Sequence, residues 1–344
     1  KFGKTPETKL SAGTVQAVWT TEKQLISYIR STMFFNRNKN LLQTEWRWYL
    51  FRLPAYGLGT SEGTYIPDLS GQVPAPSAPA VSVWRFPMQY DWLKLHQVLY
   101  REVVPFVYAG IGYHFDYYYQ IRDELLDEDD PASMRTPHYV YSRLHGFNHQ
   151  EYTTSGVSLN MVYDTRDNIV NAYSGIYLNI NYRLNMKALG SHRNGSTLWT
   201  EFRAFRSLGK KYPRHILALW LYGSFMTSGD IPFLHLMSTG FDYMNSSGRG
   251  YPEGRWRGED LVYGELEYRF PISPCSGILG GVVFANLTSA SNRDMGIPIL
   301  GYLMPGAGVG LRIMVGKHDR TNLSVDMGFG EYSRGLYLQA AEVF

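Results

Sequence analysis

Val157-Ser-Leu-Asn-Met-Val-Tyr-Asp164 and, further along, Glu265-Leu-Glu-Tyr-Arg-Phe270 carry the pattern that decides the fold. In the first, Val157, Leu159, Met161 and Tyr163 alternate with Ser158, Asn160 and Asp164. In the second, Leu266, Tyr268 and Phe270 alternate with Glu265, Glu267 and Arg269. Successive side chains of a β-strand point to opposite faces, so each stretch has one apolar and one polar face. The rhythm recurs in residues 176–183, where Ile176, Leu178, Ile180 and Tyr182 share a face, and in residues 325–330, where Val325, Met327 and Phe329 do. It is present again in residues 15–19, 45–53 and 98–112.

A soluble β-sandwich produces the same alternation with its apolar face turned inward. Two features favour the inverse. The segments run to about 8–12 residues, the length a tilted strand needs to cross hydrocarbon, whereas soluble strands average about 5–6. The polar faces also carry clustered charges of both signs, which a watered lumen accommodates. Aromatics lie near segment ends, at Trp46, Trp48, Tyr117 to Tyr119, Trp220, Tyr222, Tyr337 and Phe344, where amphipathic rings favour a membrane–water boundary. The expected fold is all-β: a transmembrane antiparallel β-barrel spanning residues 1–344 as one domain.

Composition excludes other classes. Lys+Arg 33 against Asp+Glu 30 gives +3, too little positive charge for a nucleic-acid partner. The single Cys275 rules out an intrachain disulfide. No apolar run approaches the ~20 residues of a membrane-spanning helix. Residues 54–87 hold six prolines around a PAPSAPA core that cannot enter a ladder, because proline lacks the donor. The acidic stretch IRDELLDEDD (121–130) and residues 229–258 read as further long loops, alternating with short turns such as 36–40. Long outer loops opposite short periplasmic turns are expected of such barrels. Sixteen strands would each receive 21.5 of the 344 residues, a workable allotment.

Four stretches sharpen the reading. Tyr163-Asp164-Thr165-Arg166-Asp167-Asn168 is followed by Gly175; Gly248-Arg249-Gly250-Tyr251 lies in the third long loop; YGELEYRFPI (263–272) follows it; and SVDMGFGEYSRGLYLQAAEVF (324–344) ends the chain. In this order they resemble the BamA/TamA superfamily of outer-membrane barrels: its Asp-x-Arg-Asp-Asn turn, the Arg-Gly-aromatic tip of its sixth extracellular loop, the strand after that loop, and its closing hairpin. Gly248 stands where the family usually has Val or Ile. Thr5-Pro6-Glu7-Thr8 and Tyr56-Gly57-Leu58-Gly59 resemble barrel-only, surface-antigen-like members found in Bacteroidetes, which lack POTRA domains.

The resemblance implies that Arg249 turns into the lumen and meets acidic residues on inner strand faces. The alternation offers Glu265, Glu267 and Asp326, and a planar guanidinium suits such a partner. Where the family strand supplies an Asp, this chain has Asn286, which brings no charge. Glycines on both sides of Arg249 allow the loop to tuck in closely. Asp164 and Arg166 share a face, so an ion pair is a simpler account than a catalytic carboxylate pair with Asp167. The resemblance further implies that Leu336, Leu338 and Phe344 form a closing strand and C-terminal signal at a weak seam facing residues 15–19, loosened by Gly330 and Gly335. His145 and His149 do not make a metal site, and no nucleophile–base motif occurs.

The function implied is outer-membrane protein assembly, insertion or translocation, without a cofactor or covalent chemistry. Outer-membrane lipids and lipopolysaccharide are the expected surroundings. Periplasmic or lipoprotein partners would take the place of POTRA domains, in a complex or an oligomer. The alternatives are a structural or lipid-handling barrel and a passive channel.

Overall fold

The computed structural model describes residues 9–60, 85–130, 135–209, 214–273, 277–317, 319–340 and 342–344. Among these residues fourteen strands form one antiparallel sheet in which every strand pairs with its neighbours in sequence. They are β1 (Ala12–Trp19), β2 (Leu25–Phe35), β3 (Asn40–Arg52), β4 (Met88–Val104), β5 (Val107–Asp123), β6 (Tyr152–Asp164), β7 (Gly175–Asn185), β8 (Gly195–Ser207), β9 (Ile216–Gly229), β10 (Asp260–Pro271), β11 (Leu279–Ala290), β12 (Met304–Gly316), β13 (Thr321–Gly330) and β14 (Ser333–Gln339). Among the described residues no ladder joins β1 to β14.

The orientation is the inverse of a sandwich. Leu159 is 65% exposed, Leu266 46% and Met327 38%, while Glu267 is 0% and Asp326 1%. Outward positions such as Leu159, Leu266 and Met327 thus form an apolar belt, while Glu267 and Asp326 fold into the lumen. The connections also split into two sets. Residues 53–87, 124–151 and 230–259 all leave one end of the sheet; at the other end lie tight turns such as 36–39 and 105–106. The long-loop end is the outer side by the usual asymmetry of such barrels.

Fourteen strands lie among the described residues, and the expected sixteen is not confirmed. Strand length varies widely, β4 and β5 reaching 17 residues each. Among the described strands, the loop carrying Arg249 joins β9 to β10 at the long-loop end. Residues 98–112 are not one strand. They turn back at Pro105-Phe106, with Phe106 at φ 68°. A helix that periodicity did not suggest, α1 (Pro137–Leu144), begins where Thr136 caps Tyr139 N and Pro137 occupies the first turn. Both residues suit a helix start, since the hydroxyl satisfies a free amide and proline lacks one. The proline-rich core 74–80 and Thr5-Pro6-Glu7-Thr8 lie outside the described residues.

Candidate functional site

The long connection 230–259 enters the lumen and is anchored there by Arg249, whose side chain is fully buried. Its Nη2 donates to Glu265 Oε1 at 2.6 Å and also to Glu267; Nη1 donates to Asp326 Oδ2 at 2.6 Å, and Nε to Glu265 Oε2 at 3.3 Å. The guanidinium lies 3.5 Å over the Phe284 ring. All of the acidic partners expected from the alternation thus converge on it. Burial alone would lower its pKa, but Glu265, Glu267 and Asp326 outweigh that and hold it well above its usual value.

Asn286 takes another role than a charge partner. Its Nδ2 donates to the Arg249 carbonyl at 2.9 Å and so fixes the loop backbone. Space for that backbone is made by β12, where Gly306, Gly308 and Gly310 alternate inward. A Cβ on Gly306 would stand 2.8 Å from the Arg249 carbonyl oxygen, and one on Gly308 would strike Phe284. Gly250 sits at φ 111° against the β13 backbone, a conformation and a closeness only glycine permits.

The lock extends through shared carboxylates. Arg269 donates to Glu267 at 2.7 Å, and Arg312 reaches Asp326 and, at 2.8 Å, Glu342. Three buried guanidiniums therefore face four buried carboxylates. Glu265 differs from the others: Arg249 is its one cationic partner among the described residues, supplemented by the Tyr263 hydroxyl at 2.7 Å.

The loop tip is also tied to β14. Tyr337 Oη accepts from Gly250 N at 2.9 Å and donates to the Tyr251 carbonyl at 3.1 Å, while Ser333 donates to the Gly250 carbonyl at 2.5 Å. Tyr251 itself donates to the Pro305 carbonyl at 2.6 Å and accepts from Glu331 N. Gly335 makes room for the tilted Tyr337 phenol, since a Cβ there would lie 2.5 Å from its hydroxyl. This glycine shapes the loop contact as well as thinning the strand.

The C-terminus departs from the expected closing strand. β14 ends at Gln339, with Leu336 and Leu338 facing outward at 65% and 70% exposure. Residues 342–344 then turn inward. Phe344 packs against Trp220 with ring centres 5.2 Å apart, and its carbonyl oxygen accepts from Arg269. Glu342 meets Arg312 and Asn322, and the Val343 carbonyl accepts from Ser246 of the long loop. Phe344 is thus a lumen residue and not a boundary aromatic. Trp220 and Tyr222 also face inward, whereas Trp46 and Trp48 stand outward at 43% and 49% exposure. Residues 216–222 are apolar on both faces, so alternation gave them no direction; Trp220 Nε1 to Glu201 at 2.9 Å and Tyr222 to Ser247 at 2.9 Å set it.

At the short-turn mouth, Arg166 grips Asp164 with two bonds of 2.9 Å. Asp167 instead reaches across to the β12–β13 turn, where Arg320 donates to it at 2.6 Å, and Asn168 Nδ2 donates to the Asp319 carbonyl at 3.1 Å. Sequence reasoning missed this strap, because nothing local marks a turn whose partner lies 153 residues away. The two histidines serve separate loops: His145 bridges Asp230 at 3.1 Å and Asp294 at 3.0 Å, and His149 meets Glu128. No acidic or histidine cluster suited to a metal ion occurs among the described residues.

Between the strap and the arginine loop lies a lumen cavity of about 990 Å³. It is bordered on one side by Gly13 and Gln16 of β1 and on the other by Leu338 and Gln339 of β14. The two unpaired sheet edges therefore face one space.

A known domain covers most of this sheet and the whole arginine loop: the Omp85 superfamily domain model matches residues 109–325, more than half of the chain. The chain belongs to the Omp85 superfamily. It is accordingly an outer-membrane barrel. Among solved structures it is similar to BamA of Haemophilus ducreyi, a form lacking POTRA domains 1–3, at 15% identity and TM-score 0.56, over 96% of this chain and 65% of that one. It is similar also to CdiB of Escherichia coli at 11% identity and TM-score 0.53, over 93% of this chain and 52% of that one. The chain thus spans under two thirds of either relative, and the likeness concerns the fold. No curated protein sequence matches it.

Proposed function

We propose that this Omp85 barrel acts in the assembly, insertion or translocation of outer-membrane proteins, presenting its unpaired edges to an incoming chain. The observation that carries this reading is the seam: among the described residues β1 and β14 share no ladder, and they border one cavity. An open edge offers a row of N–H and C=O groups that an extended segment can complete, with no covalent step. β1 suits such a template, since it pairs on one side alone and Val15 is 77% exposed. The arginine loop would govern the other edge, because its tip holds β14 through Tyr337 and Ser333.

The same geometry disfavours a passive wide pore. The lumen is plugged from the outer side by residues 230–259 and strapped at the other mouth by Asp167–Arg320. Partner proteins in the periplasm, or lipoproteins, would deliver and hold the substrate, and their capture from native outer membranes is part of the proposal.

The test is reconstitution. The full chain in liposomes should speed the folding of a urea-unfolded outer-membrane barrel, read as the change in heat-modifiable gel migration. A photo-crosslinking residue at Val15 should capture that client. Unchanged folding kinetics, with crosslinks to lipid alone and a large stable conductance in planar bilayers, would favour a channel and end the reading.

A further inference from the structure

The outer wall carries a feature that neither the lock nor the seam uses. On the lipid-facing side of β9 and β10, two outward positions have no side chain: Gly223, paired with Thr200 and Val262, and Gly264, paired with Leu221 and Leu287. The Phe225 ring folds over Gly223, where a Cβ would stand 2.6 Å from it, while Gly264 stays open except for Leu221 at 3.0 Å; a notch of about 510 Å³ runs along this stretch near the long-loop end of the wall. Its walls are Leu178, Phe202, Leu221, Phe225 and Leu287.

The connection between β11 and β12 reaches over this notch. Leu300 holds a left-handed backbone at φ 64° while its side chain stays 64% exposed, and Leu303 is 52% exposed. A leucine in that region is strained and persists only where its surroundings impose it. Here Leu300 N donates to Ser289 Oγ at 2.9 Å, and Thr60 donates to the Tyr302 carbonyl at 2.9 Å. The loop is thus fastened with its leucines aimed at the membrane side of the notch.

A charge pair stands next to the Phe225 wall. Asp260 pairs with Phe225 in the ladder, so it lies on the outward face. It is bridged by Arg293, whose Nη2 donates to Asp260 Oδ1 at 2.8 Å and to the Met226 carbonyl at 2.7 Å. The Arg293 side chain remains 46% exposed, and its Nη1 makes no hydrogen bond among the described residues. That free edge of the fork suits a phosphate oxygen.

We propose that the notch is a lipid site: it seats one acyl chain of an outer-leaflet lipid with an anionic, phosphate-bearing headgroup, the chain lying over Gly264 between Leu221, Phe225 and Leu287, and the phosphate meeting Arg293. The occupant follows from position and charge. The notch is continuous with the apolar belt that faces the bilayer, its walls are apolar, and the Asp260–Arg293 pair stands beyond its Phe225 wall with the guanidinium half exposed. The proposal depends on the membrane-spanning orientation and not on the assembly role.

The test uses the full chain, purified in detergent, stripped of lipid and titrated with dimyristoyl phosphatidylglycerol or dimyristoyl phosphatidylcholine, with native mass spectrometry as readout. One phosphatidylglycerol should persist at collision energies that remove phosphatidylcholine. Gly264→Leu should abolish that retention. It should still fold, because a Cβ there meets the flexible end of Leu221 alone, at 3.0 Å, and heat-modifiable migration checks this. Leu300→Ser should weaken retention as a second, independent variant. Arg293→Gln should bring the two lipids to parity. Unchanged retention in Gly264→Leu and Leu300→Ser would overturn the site. So would a dimer of the chain that Gly264→Leu dissolves, since a second copy would then be the occupant.

Discussion

Replacing Arg249 by alanine removes the one cation that Glu265 meets, while leaving its neighbours partly served. Asp326 keeps Arg312, and Glu267 keeps Arg269. The penalty should therefore concentrate at Glu265, left with the neutral Tyr263 hydroxyl and Asn286. Losing one partner of a buried charge pair costs about 3–5 kcal/mol, chiefly because the other charge stays desolvated. Arg249→Ala should lie in that range, with the long loop released to protease. Arg249→Lys should fall between, since an ammonium carries the charge but cannot span Glu265 and Asp326 as a planar fork does. The informative variant is Arg249→Ala with Glu265→Gln. Neutralising the orphaned carboxylate should recover about 1–3 kcal/mol, the usual cost of an unsatisfied buried group. Urea titration of the folded form in detergent, followed by gel migration, gives the energies, and limited proteolysis reports the loop. Equal stability of Arg249→Ala and the parent, or no recovery in the double variant, would refute the lock as described.

Three further outcomes follow from the same contacts. Tyr337→Phe removes the hydroxyl that bridges Gly250 N and the Tyr251 carbonyl, at a cost of about 0.5–1.5 kcal/mol; faster amide exchange in β14 than in β7 should mark it, and uniform exchange would contradict the tie. His145 donates to both Asp230 and Asp294, which requires the imidazolium; burial would lower its pKa, but those hydrogen bonds outweigh it and raise it. Its contribution to holding the outer loops together is thus full below about pH 6.5 and lost as pH rises through the raised value; loop proteolysis should accelerate across that window, and His145→Asn should flatten the profile. Phe344→Ala should free the inward tail by removing its packing on Trp220, at roughly 3 kcal/mol; a shift in Trp220 fluorescence reports it, and an unchanged spectrum would place the tail elsewhere.

How much of this was legible in the sequence depended on whether a residue's face could be read locally. Leu159 and Glu267 sit in clean alternations, and their directions followed. The partners of Arg249 were legible for the same reason: Glu265, Glu267 and Asp326 all occupy polar-face positions. Trp220 and Tyr222 were not, because their segment is apolar on both faces and side-chain bonds across the lumen decided the orientation. The strand number was not legible because strand length varies from 7 to 17 residues among the described strands, which composition does not reveal. The inward turn of Phe344 depends on Arg269, Arg312 and Trp220 arriving from other strands. Two signals were present but unused. Gly306, Gly308 and Gly310 alternate with Ala307 and Val309, the mark of a groove cut into one face, and Thr136-Pro137 is a helix start.

The account stands on the direction in which the strands point. Single cysteines placed from Val157 to Tyr163 in a Cys275→Ser background, reconstituted in liposomes, test it most directly. A water-soluble maleimide should label Ser158→Cys and Asn160→Cys, while a bilayer-confined quencher should reach probes at Val157, Leu159 and Met161. Labelling without alternation, or with Leu159 accessible to water and Asn160 to lipid, would contradict both the barrel and every contact assigned to its lumen.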